Sequence, residues 1–232
     1  MSCILHIDTS TTVCSVAVSE NGAIIYHKEE YDGPSHSSLL GGMVSDALSF
    51  TDNHGIPFDA VSISNGPGSY TGLRIGLSMA KGLCYGRDLK LLNIPTLKVL
   101  CVPLLLGNYD MADDALLCPM IDARRKEVYT ALYTRSLTSV EDVQSKIIDE
   151  SSFHEHLDHP IYFFGNGSTK CKELISHPNA HFVDNIHPLA KNMMPLAEMA
   201  FLHGEFADVG YLEPMYLKEF MAGPKSRRIV ES

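Results

Sequence analysis

Two segments gather residue types able to do chemistry. Asp8-Thr9-Ser10-Thr11-Thr12 is a hydroxyl-rich run between two apolar stretches. Its amides and side chains could cradle a phosphate, with Asp8 holding a hydrated metal. The same residue types also build ordinary turns, because Ser, Thr and Asp bond their own backbone. The second segment, Asn65-Gly66-Pro67-Gly68-Ser69-Tyr70-Thr71-Gly72-Leu73-Arg74-Ile75-Gly76, ends in a helical pattern whose first amides could receive an anion. Its spacing, G-x-G-x-x-x-G, is one residue longer than the dinucleotide fingerprint, and no Gly-Lys-Ser/Thr follows. A strained turn and close helix packing explain the same glycines without a ligand.

No metal site or nucleophile emerges. His154, His156 and His159 lie in a polar segment closed by Pro160 and read as a solvated helix end; Pro178 keeps His177 and His181 off one helical face. There is no G-x-S-x-G elbow, and the six scattered cysteines form no C-x-x-C pair. The expectation is a chain with no catalytic residue, no metal and no cofactor.

The elements that would position these segments follow from periodicity. Apolar runs flanking a polar turn predict strands at 3–7 and 13–19, and the hairpin signal Asn21-Gly22 leads into a third at 23–27. Helical spacing predicts helices at 35–53, 70–86 and 96–106, with strands at 60–64 and 89–94 between them. After a polar break at 107–114 a comparable order recurs: strands at 115–121, 127–133 and 161–164, then a helix at 189–206. Strands followed by alternating helix and strand, twice over, predict an α/β protein of two related lobes.

Two stripes of small residues stand out on the helices. Ser37, Gly41, Ser45 and Ser49 repeat at i, i+4 on the first, and Gly72, Gly76, Ala80 and Cys84 do so on the second. Such stripes let backbones approach closely, whether within the chain or against another subunit. Glycine inside a helix costs roughly 1 kcal/mol relative to alanine, so Gly41, Gly42 and Gly76 call for a compensating contact.

The chain has 232 residues, 45% hydrophobic and 20% charged, which is enough for one large core or two smaller ones. Its formal net charge of -10 argues against gripping a nucleic acid unaided. Cysteines set among apolar neighbours, no leader-like run after Met1 and no long apolar stretch predict a cytoplasmic protein.

At residues 4–18, ILHIDTSTTVCSVAV, and 66–82, GPGSYTGLRIGLSMAKG, the chain resembles the TsaB (YeaZ) family. Supporting matches are IDARRKEVY at 121–129, the Gly165-Asn166-Gly167 turn and YLEPMYLKE at 211–219; the likeness thins between 134 and 158. The resemblance implies an actin-like, sugar-kinase-like (ASKHA) fold, with a lobe at 1–106 carrying the pairing helices, a less regular lobe at 107–222 and a basic flexible tail at 223–232. It further implies a non-catalytic subunit of tRNA threonylcarbamoyladenosine synthesis. Such a subunit pairs with the transferase TsaD, recruits the ATPase TsaE, forms a homodimer when alone and meets tRNA only through the complex.

Where TsaD carries a metal-binding H-x-x-x-H, this chain has Thr96 and Leu100. The resemblance makes Asp8, Thr9 and Ser10 a vestigial nucleotide site, because the second hairpin turn carries Asp122-Ala123-Arg124-Arg125 in place of Asp-x-Gly. It assigns the interface to Ser37, Gly41, Ser45, Ser49, Gly72, Arg74, Gly76, Ala80 and Cys84. A small-molecule kinase of the same fold and a metallopeptidase are the competing readings; no catalytic Asp, second phosphate loop or ligand set can be placed for them.

Overall fold

The computed structural model describes residues 2–31, 36–107 and 109–218, so the tail expected at 223–232 and the helix start expected at 35 lie outside the described residues. The chain opens with β1 (Cys3–Asp8), β2 (Cys14–Glu20) and β3 (Ala23–Glu30), an antiparallel meander whose second turn places Asn21 and Gly22 at positive φ. Helix α1 (His36–His54) then leads to β4 (Ala60–Ser64), α2 (Tyr70–Arg87) and β5 (Lys90–Ile94). Strand β4 lies parallel to β1, and β5 parallel to β4.

The second sheet repeats this plan. Strands β6 (Leu116–Asp122), β7 (Glu127–Thr134) and β8 (Ser139–Ile147) form the meander, then β9 (Ile161–Phe164) pairs parallel with β6 and β10 (Ala180–Val183) with β9. The orders β5-β4-β1-β2-β3 and β10-β9-β6-β7-β8 are one topology used twice. In the second copy the connections corresponding to α1 and α2 shrink to single 3-10 turns at His154–His156 and Thr169–Cys171. Pro160 and Pro178 cap the length either could reach.

Between the sheets runs α3 (Thr96–Leu106), apolar around most of its circumference and buried on most of its faces. Leu97, Leu100, Cys101 and Leu104 pack on the second sheet, while Val99 faces Leu92 and Ile94 of the first. The stretch expected as one helix over 189–206 is a 3-10 turn, α4 (Met194–His203) and the short strand β11 (Phe206–Ala207).

Residues 107–222 therefore do not all stay with the second sheet. Ala197 and Ala200 of α4 pack on Ile4, Leu92 and Ile94, and β11 pairs antiparallel with β5. Physically, this covers a face and an edge of the first sheet that would otherwise meet solvent. All six cysteines are free and buried. Among the described residues no helix is long and apolar enough to cross a membrane.

Candidate functional site

The hydroxyl-rich turn after β1 is closed by the chain itself. Asp8, Thr9 and Ser10 have no solvent exposure. Ser10 donates both its N–H and its hydroxyl to Asp8 Oδ1, each at 3.0 Å, and Thr9 donates its hydroxyl to the Gly72 carbonyl at 2.7 Å. From above, the Ser69 N–H donates to the Ser10 carbonyl at 2.7 Å, and buried His36 donates from Nε2 to the Thr11 carbonyl at 2.7 Å.

The glycines of the second segment make this closure possible. A Cβ on Gly68 would stand 2.3 Å from the Ser10 carbonyl oxygen, and one on Gly72 a mere 2.1 Å from that of Thr9. The compact motif thus seats the start of α2 on the turn, with Ser69 as N-cap accepting from the Gly72 N–H. The Thr9 and Ser10 hydroxyls, donors that could have met a phosphate, are spent within the fold.

Asp8 keeps one unusual feature. Burial pushes its carboxyl up to about 6, against the opposing effect of hydrogen bonding from Ser64 and Ser10. Among the described residues the buried Asn65 Oδ1 has no hydrogen-bond partner, and the buried Asp8 Oδ2 and Ser64 Oγ have none beyond the Asp8–Ser64 contact itself. These three atoms sit at the carboxyl ends of neighbouring parallel strands, where open α/β sheets place ligands. The arrangement is a buried polar cluster under a glycine-rich lid.

The two small-residue stripes point in opposite directions. Gly72, Gly76, Ala80 and Cys84 are buried against the chain's own first sheet, and a Cβ on Gly76 would lie 2.3 Å from Thr9 Oγ1 and 3.0 Å from Ile63. The expectation that these four line an intersubunit seam is corrected: they bring α2 down onto β1, β4 and the polar turn. Ser37, Gly41, Ser45 and Ser49 of α1 do face outward, as does Arg74, and beyond Gly41, Gly42 and Gly82 a Cβ meets nothing within 4 Å.

An open groove of about 580 Å³ runs along this face, lined by Ser37, Arg74, Ile75, Ser78, Met79, Gly82 and Leu83. Ile75, Met79 and Leu83 escaped the sequence reading. Their own i, i+4 spacing, one position before Gly76, Ala80 and Cys84, was the available signal. Arg74 lies over the Tyr70 ring at 4.2 Å and donates from Nε to the Tyr216 hydroxyl at 2.9 Å, so the segment 208–218 borders the groove.

Thr96 and Leu100, where the resemblance implies a lost metal-binding pair, are interior. Thr96 is fully buried and its hydroxyl accepts the Gly66 N–H at 3.0 Å, while fully buried Leu100 packs in the α3 core beneath Gly165. Among the described residues no group of three or more His, Cys, Asp or Glu could hold a metal ion.

The repeated sheet topology, with helices on the sheets and a polar turn at the strand ends, defines an actin-like (ASKHA) protein. A family model described as TsaD, tRNA N6-adenosine threonylcarbamoyltransferase, matches residues 29–210. The tRNA threonylcarbamoyladenosine biosynthesis protein TsaB of Bacillus subtilis is 30% identical over 223 residues, covering 93% of each chain. TsaB of Escherichia coli strain K12 is 29% identical over 230 residues, covering 96% of this chain and 97% of that protein. YeaZ from Pseudomonas aeruginosa superposes with a TM-score of 0.77 at 26% identity, over 94% of this chain and all of that one. The chain belongs to the TsaB family, within the wider group that the TsaD model describes.

Proposed function

We propose that this chain is a non-catalytic, cytoplasmic scaffold in tRNA threonylcarbamoyladenosine biosynthesis, the process named for its TsaB relatives. Its exposed α1–α2 face docks the transferase TsaD in the working assembly and a second copy of the chain when it is alone. TsaE joins that assembly, and tRNA is reached through it. The observation carrying this reading is the groove between Ser37 and Leu83, bordered by outward glycines with nothing beyond them. Small residues there let a partner helix come close, and Ile75, Met79 and Leu83 supply apolar surface to bury. A closed polar turn and the non-ligating pair Thr96 and Leu100 support a role without chemistry of its own.

The test is one substitution read by co-elution with TsaD from the same source. Gly82→Leu fills the groove from the surface, and its Cβ enters open space, so the monomer should melt within about 1 kcal/mol of wild type. Loss of co-elution with an unchanged melt supports the docking face. Full co-elution of the Gly82→Leu protein would place the interface elsewhere.

A further inference from the structure

The turn joining β6 to β7 opposes the acidity of the whole chain. Arg124, Arg125 and Lys126 follow one another on its exposed crest. Nearby Lys170 and Lys218 are matched by Asp122 and Glu127, whereas the three crest cations have no ion-pair partner among the described residues. The turn is held rigidly. Asp122 Oδ1 accepts the Arg124 N–H at 2.9 Å, Lys170 donates to the Arg125 carbonyl at 3.2 Å and to that of Glu127 at 2.6 Å, and the Asn166 side chain accepts the Asp122 N–H at 2.9 Å.

Arg124 and Arg125 both take left-handed backbone, φ 67° and 55°, which Asn and Gly adopt with less strain. Two arginines kept in that conformation mark a turn whose side chains matter more than its backbone comfort. One aromatic face, Tyr129, lies at the base of this turn. Lys218 lies 5.8 Å from the Tyr129 ring, and two residues earlier Tyr216 packs at a tilt against Tyr70, 4.7 Å away, beneath Arg74 at the docking face. Cations that track a backbone beside rings that stack on bases are the equipment of nucleic-acid contact; an acidic protein surface would need only the cations.

We propose that the β6–β7 turn, with Arg124, Arg125 and Lys126 on its crest and Tyr129 at its base, contacts the sugar-phosphate backbone of RNA once the chain is assembled with its partner. The requirement for assembly rests on the function proposed above, because the chain's charge of -10 repels RNA elsewhere. The segment 208–218 carries this surface to the docking face: Lys218 reaches the Ala123 carbonyl at one end and Tyr216 holds Arg74 at the other. A partner docked on α2 would therefore share the segment 208–218 with the turn.

The test measures binding of an unmodified tRNA transcript to the complex with TsaD across a salt series, by fluorescence anisotropy. The variant is Arg124→Gln/Arg125→Gln/Lys126→Gln, and Lys28→Gln/Lys90→Gln/Arg135→Gln is a charge-matched control. Losing three phosphate contacts should weaken binding at least about tenfold at low salt and flatten the log–log salt slope by about 2 to 3. Co-elution with TsaD should persist and the control should bind as wild type does. Unchanged affinity and slope would overturn the inference, as would an equal loss in the control or a variant that no longer pairs, which would make the turn a protein contact. If wild type itself fails to pair, the scaffold reading falls separately. The same three proteins are then compared alone with the transcript at low salt, where a deficit confined to the turn variant upholds the RNA contact and equal binding ends it.

Discussion

The first hairpin turns of the two sheets occupy the same place in one topology, yet one is sealed and the other is open. Asp8 follows β1 under the glycine-rich start of α2 and the His36 side chain, whereas Asp122 ends β6 on an exposed basic crest. Both sheets press a glycine loop against this region: Gly68 and Gly72 meet Ser10 and Thr9, and Cβ atoms on Gly165 and Gly167 would collide with Met120 and Ile121. What differs is the continuation. After Gly68 an 18-residue helix lies across the sheet, but after Gly167 only a 3-residue turn forms. A repeated sheet thus leaves the fate of its turns to the helices laid over it.

The largest expected effect breaks the seal. Gly76→Leu drives an isobutyl group into Thr9 and Ile63, and should cost about 3 kcal/mol or more, read as a lowered urea midpoint. A Gly76→Leu protein with native stability would mean that α2 does not sit on the turn as described.

The two aspartates sharpen the comparison through pH. Asp8 has a folded pKa of about 6 against 3.8 in the unfolded chain, so the native state binds the extra proton between those values and its stability falls as pH rises through that window. Asp8→Asn removes this loss. It should stabilise the chain by up to about 3 kcal/mol at pH 7, the gain fading towards pH 4. Buried His6, held neutral with its pKa lowered to about 3, acts in the opposite sense, losing stability as pH falls below the unfolded value; comparison with wild type at each pH cancels it. Asp122→Asn, in an exposed pair with Lys170, should lose under about 1 kcal/mol, less in high salt. Similar pH profiles for both variants would erase the distinction between the turns.

The smallest effect concerns the outward stripe. Gly41→Ala should raise stability by about 0.5–1 kcal/mol, because the exposed helix gains propensity and its new methyl meets nothing. A loss in thermal melts of the monomer would show that Gly41 is covered within the chain.

Much of this was legible in sequence because local pattern carried it. Apolar runs at 3–7 and 13–19 and helical spacing at 70–86 reappear as β1, β2 and α2. Strands β8, β10 and β11 went unread. The β8 sequence SVEDVQSKI mixes charge into an edge position, and β11 has two residues that pair only because β5 offers a free edge.

By itself the sequence determined the glycine-rich turn, the two stripes and the excess of acid. Only the tertiary structure decided which stripe faces inward, that Asp8 is sealed and that Arg124, Arg125 and Lys126 stand free. Spacing along a helix gives the period of a face but not its phase, and small residues suit a sheet beneath as well as a partner outside. That choice is made when α2 settles on β1 and β4, and Gly76, with 3.0 Å between its would-be Cβ and Ile63, records it.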